Sequence, residues 1–76
     1  MIATLKNRKD TSCTILSIEQ VENGTNVQRV DIIDETRKRT TVEYYDNSWQ
    51  FDTIRSFFFS ELNAIIDNGF KLVDMK

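Results

Sequence analysis

The sequence predicts a small two-layer α+β domain, with a three-stranded antiparallel sheet packed against one helix and a last strand after it, in the order β-β-β-α-β. Three observations carry that expectation. Runs rich in β-branched residues flank Asn23-Gly24, and apolar residues recur at helical spacing from Phe51 to Ile66. A glycine, Gly69, then separates that run from a short apolar stretch. A chain of 76 residues buries only about 60% of its unfolded surface and has no room for a second core, so residues 1–76 read as a single domain.

The first hairpin lies between Thr14–Val21 and Val27–Asp34. Leu16 and Ile18 alternate on one face of the first run, Val30 and Ile32 on one face of the second, and Val42 and Tyr44 on one face of a third. Gathering these even-numbered residues into one core requires Ile18 opposite Val30 and Leu16 opposite Ile32. That pairing implies a three-residue turn over Asn23, Gly24 and Thr25, because a one-residue slip moves a whole hydrophobic set to the other face. The second hairpin turns through Glu35 to Arg39, with its register left open by the sequence. The segment 1–6 and the stretch 70–74 are further strand candidates, which would bring the sheet to four or five strands.

The helix is expected to begin after Asn47 or Ser48, where Asn47 and Gln50 resemble a capping box, with Asp52 as the alternative start. It stops at Asn68, with Gly69 in the left-handed position and Phe70 supplying the apolar contact that accompanies such a stop. On the helical wheel Phe51, Ile54, Phe58, Leu62 and Ile65 fall on one core stripe, and Phe59 and Ile66 extend one flank. Phe57 lies about 100° to the other side, beside Ala64 and Thr53. Three consecutive phenylalanines therefore span more than one apolar stripe, and Phe57 is the one that needs a partner outside the core.

Composition excludes several function classes. The net charge is −2 with a pI near 5.0, which argues against a general polyanion binder. The single cysteine, Cys13, forms no intrachain disulfide and reads as a small, partly buried residue. The chain has no histidine, so neither a Cys/His metal cluster nor a histidine base is available. Lys6, Arg8 and Lys9 precede an apolar run too broken for a signal peptide, and no stretch approaches the roughly 20 apolar residues of a membrane span. A cytoplasmic location is expected. Asn23-Gly24-Thr25 matches a glycosylation acceptor but reads better as turn chemistry. Glycine-rich phosphate loops, nucleophile-base pairs and HExxH are absent from the sequence, so no catalytic residue, metal or cofactor is implied and an enzyme is not expected. Asp31, Asp34, Glu43 and Asp46 approach one another in such a hairpin, but pairing with Arg29 and Arg39 across strands explains them better than acid-base chemistry.

Three surfaces remain. Seven of the eight aromatic residues fall between Tyr44 and Phe59. Tyr44, Phe51 and Phe58 are assigned to the core, whereas Trp49, Phe57 and Tyr45, at the strand-to-helix junction, have the character of binding hot spots. The face opposite the expected core carries Ile15, Val21, Val27 and Ile33, a candidate homodimer surface. Arg37, Lys38 and Arg39 at a hairpin tip offer a grip on nucleic acid, weakened by the adjacent Asp34 and Glu35. The leading expectation is a small interaction protein that inhibits or regulates a partner protein, of the kind that phages and mobile elements encode as accessory proteins. A nucleic-acid-binding regulator and a homodimeric structural protein are the alternatives.

Overall fold

The computed structural model covers all 76 residues. It contains β1 (Ile2–Asn7), β2 (Cys13–Val21), β3 (Gly24–Ile32), β4 (Lys38–Asp46), α1 (Phe51–Asp67) and β5 (Phe70–Met75). The five strands form one antiparallel sheet in the order β4-β3-β2-β1-β5, with the helix on one face. The α+β class stands, and both terminal segments are strands. The opening one is no sheet edge: β1 lies between β2 and β5, with Ala3 and Leu5 wholly buried.

Four strand residues, Ala3, Leu5, Leu16 and Ile18, meet Ile54, Phe58, Leu62 and Ile65 of the helix to form the core. The helical stripe is the one its periodicity predicts, with Phe51, Phe59 and Ile66 half-buried beside it. A helix with its side chains is about 10–12 Å across and neighbouring strands are about 4.8 Å apart. One helix therefore covers only part of a five-stranded sheet, and α1 lies over β1 and β2 with β5 touching it on one side and β3 on the other. The helix-facing side of β4 and the outer part of β3 lie beyond its cover.

That geometry overturns the expected hairpin register. Ile18 lies opposite Val27 and Leu16 opposite Arg29. The strands are joined by the two residues Glu22 and Asn23, with Asn23 at φ 67 supplying the positive dihedral, which asparagine tolerates better than most residues. Gly24 is the first residue of β3, not part of the turn. Glycine is required there for closeness: a Cβ would stand 2.3 Å from the Tyr45 carbonyl oxygen and 2.6 Å from the Tyr44 ring.

With this register the even positions of β2 share a face with the odd positions of β3 and β4. Val30, Ile32, Val42 and Tyr44, expected in the core, lie on the uncovered face, where Val42 and Tyr44 are about half exposed. Thr25, Val27, Arg29, Asp31, Arg39, Thr41, Glu43 and Tyr45 turn towards the helix side. The physical reason is coverage, since the core dictates side-chain phase only under the helix and ion pairing satisfies the residues beyond it.

The helix starts later than the capping-box reading predicts. Asp46 accepts a hydrogen bond from the backbone N–H of Ser48 (2.9 Å) and another from its hydroxyl, which holds Asn47 and Ser48 in a turn. Gln50 then caps through its backbone, with no side-chain hydrogen bond, and its carbonyl accepts from the N–H of Thr53 and Ile54. The stop is as expected: the helix ends at Asp67, Asn68 caps it, and Gly69 takes φ 95.

Candidate functional site

The uncovered strip between α1 and β4 forms an open cleft of about 350 Å³. Its floor is Val27, Arg29 and Asp31 of β3 and Arg39, Thr41, Glu43 and Tyr45 of β4; Phe57 and Glu61, one turn apart on the helix, form its wall.

The charges in the cleft are organised. Arg29 donates through Nε to Asp31 (3.1 Å) and through Nη1 to Glu61 (2.5 Å), tying sheet to helix. Asp31 also accepts from the Thr14 hydroxyl (2.8 Å) and from Arg39 (3.4 Å), its direct cross-strand neighbour. Partial burial pushes the Asp31 pKa up, but the Thr14 hydroxyl and the Arg29 and Arg39 guanidinium groups outweigh it, so the carboxyl titrates below its ordinary range. Tyr45 donates its hydroxyl to Glu43 (2.6 Å), and this bond to a carboxylate, assisted by burial and the negative charge, raises the phenol's pKa.

At one end of the cleft the three aromatic residues singled out from the sequence come together. The Tyr45 and Trp49 ring centroids are 5.4 Å apart, Tyr45 and Phe57 5.9 Å, and Trp49 and Phe57 5.9 Å, with Trp49 edge-on to both partners. Strand, turn and helix each contribute one ring. The cluster stands at the edge of the core: Trp49 is 47% and Phe57 42% exposed, while Tyr45 is half-buried and packs against the core. Edge-to-face packing fixes the ring orientations and leaves a preformed aromatic surface.

Comparison with protein-family models, curated proteins and solved structures finds no match.

The other two surfaces change shape in the structure. Of the residues assigned to a dimer face, Ile15 and Val21 do lie on the uncovered face. Val27 instead faces the helix side and packs against the core, because the register places it opposite Ile18. Ile33 follows the last residue of β3 and sits, exposed, at the hairpin tip. The apolar residues that surround Ile15 are Val30, directly opposite it, and the neighbouring pair Cys13 and Ile32. Arg37, Lys38 and Arg39 diverge. Arg37 is bound to Asp34 in the turn (2.7 Å), whereas Lys38 and Arg39 point to opposite faces of β4, as successive strand residues must, and Arg39 pairs with Asp31. The carboxylates do not converge either: Asp34 accepts from Thr36 and Arg37 at the tip, Asp46 holds the turn before the helix, and Asp31 is held by arginines. No helix is long and apolar enough to cross a membrane.

The pairing of Asp31 with Arg29 and Arg39 is as expected from the sequence, but the sequence does not bring Arg29, Asp31, Glu43 and Glu61 together as lining of one cleft. Two signals point to them. Glu61 lies four residues after Phe57 and so on the same helical flank, and the odd positions of the second hairpin place Asp31 against Arg39.

Proposed function

We infer that this protein is a protein-interaction module that regulates a partner, most simply by occluding part of its surface. The observation that carries this reading is the Tyr45-Trp49-Phe57 cluster, three rings from three elements held against one another while two remain over 40% exposed. A small domain gains stability by burying such rings, so leaving Trp49 and Phe57 nearly half exposed forgoes part of that gain, whereas preordered Trp and Tyr at a concave rim are typical energetic centres of an interface. Arg39, Glu43 and Glu61 along the cleft surround the anchors with both signs of charge, an arrangement that sets orientation and encounter rate more than affinity.

The test is capture from lysate by the wild-type chain and by a Trp49→Ala/Phe57→Ala variant, at low and high salt, with nuclease added to half of each sample. A specific protein retained by the wild type despite salt and nuclease, and lost by a variant that keeps its fold by circular dichroism, is the expected result. Retention that nuclease abolishes, or that the variant leaves intact, removes this reading.

A further inference from the structure

We propose that the free edge of β4 pairs antiparallel with β4 of a second copy of this chain, joining two five-stranded sheets across a two-fold axis at Val42. The two ends of the sheet differ in a way that selects β4. At the far end, β5 has six residues and its pairing with β1 is broken by a register shift between Thr4 and Leu5, an irregularity that blunts an edge. β4 runs for nine residues in unbroken register with β3, has no element beyond it, and contains no proline. Such an edge presents a row of unpaired backbone groups to any incoming strand.

Charge identifies the incoming strand. β4 reads Lys38-Arg39-Thr40-Thr41-Val42-Glu43-Tyr44-Tyr45-Asp46, basic at one end, acidic at the other and β-branched in between. An antiparallel copy centred on Val42 pairs all nine residues, with Lys38 opposite Asp46 of the second copy and Asp46 opposite its Lys38. Thr40 then faces Tyr44, and Thr41 faces Glu43. On the helix side Arg39 meets Tyr45 of the second copy and lies diagonal to its Glu43, within reach for a long side chain. A shift that centres Glu43 sets that carboxylate against itself, and a parallel pairing aligns like charges throughout, which is destabilising. Lys38 makes none of the four ion pairs within the monomer, so it is free for this contact. The two clefts, each floored in part by β4, become one trough running between the two helices. A single strand pair falls at the small end of specific interfaces, so the dimer assembles with concentration.

Sedimentation equilibrium from micromolar to millimolar protein reads the association, and charge swaps read its geometry. Lys38→Glu places Glu against Asp46 at both ends, and Asp46→Lys places Lys against Lys38 at both ends, so each variant alone is monomeric. Mixed one to one, they form two complementary pairs, and the heterodimer appears. In a Cys13→Ser background, Val42→Cys oxidises to a covalent dimer because the axis sets residue 42 against itself, a readout that does not depend on the turn held by Asp46. A wild-type chain that stays monomeric at every concentration overturns the proposal. So does a dimer that Lys38→Glu leaves intact and Val42→Cys does not cross-link, which would place the contact on the open face around Ile15, Val30 and Ile32.

Discussion

Gly24 and Gly69 are the only glycines in the chain, and they answer different constraints. At Gly24 the backbone is ordinary but the space is filled, so Gly24→Ala must displace the carbonyl of Tyr45. The expected cost is about 1–3 kcal/mol, as for other overpacked sites. At Gly69 nothing lies within 4 Å of a built Cβ, but φ is 95, so Gly69→Ala costs about 1–2 kcal/mol through the left-handed backbone alone. Urea unfolding of Gly69→Asn separates the two causes: asparagine recovers part of the loss at position 69, whereas Gly24→Asn recovers none. Asp31 carries a pH dependence. Its folded pKa lies below the ordinary carboxylate value of 3.8, so its contribution to stability is complete above that value and is lost as pH falls through the depressed one. Asp31→Asn is therefore less stable by about 1–3 kcal/mol at pH 7, the worth of hydrogen bonds to a charged group. Denaturation curves of variant and wild type converge as the pH is lowered past that point.

The helix and the second hairpin differ in how much of them was legible from residues alone. On α1, the stripe Ile54, Phe58, Leu62 and Ile65, the exposure of Phe57 and the stop at Gly69 follow from one 3.6-residue period and one glycine, because the helix has its whole core face against the sheet. The start at Phe51 falls beside the alternative at Asp52 rather than at the capping box, because the Asp46 carboxylate takes the Ser48 N–H and its carbonyl the Trp49 N–H, which holds Asn47 and Ser48 in a turn. In the hairpins, the even positions of β2 face the core as their periodicity predicts, whereas on β3 and β4 it is the odd positions that do so. Val30-Ile32 and Val42-Tyr44 are the more apolar set, but the two-residue turn at Glu22 and Asn23 puts Val27, Arg29 and Asp31 on the face of Leu16 and Ile18, and one helix is too narrow to penalise the polar residues beyond its cover. The cleft was illegible for the same reason, while its aromatic end was visible as a cluster in sequence. The two adjacent phenylalanines test the helical account. Phe58 has no exposed surface, so Phe58→Ala costs about 3–5 kcal/mol, most of the stability of a domain at the lower end of the ordinary range, about 5 kcal/mol. Phe57→Ala, which loses only its ring contacts with Tyr45 and Trp49, costs about 1–2 kcal/mol. Circular dichroism melts of the two variants side by side show the difference.

Across the whole molecule, cover is uneven, and stability should follow it. β1 and β2 are flanked by strands on both sides and roofed by α1, so their amides exchange only through the largest opening of the domain. β4 is bonded to β3 alone and has no helix over it, so its β3-bonded amides open by local detachment and its outward amides have no protein partner in the monomer. Native-state hydrogen exchange in dilute protein should rank protection β2 and β1 above β3, and β3 above β4. β4 amides as slow as those of β2 would mean that the sheet opens as one unit and that helix cover does not grade it. Raising the concentration adds a second reading. Strand pairing across the two-fold gives partners to the outward amides of β4, so their exchange slows in proportion to the dimer formed while β5, at the opposite edge, is unchanged. Association through the open face would cover side chains of β2 and β3 and leave the free edge of β4 in water. A concentration-dependent slowing confined to alternate residues of β4 therefore belongs to the edge-paired dimer and to no face-to-face arrangement of the same sheets.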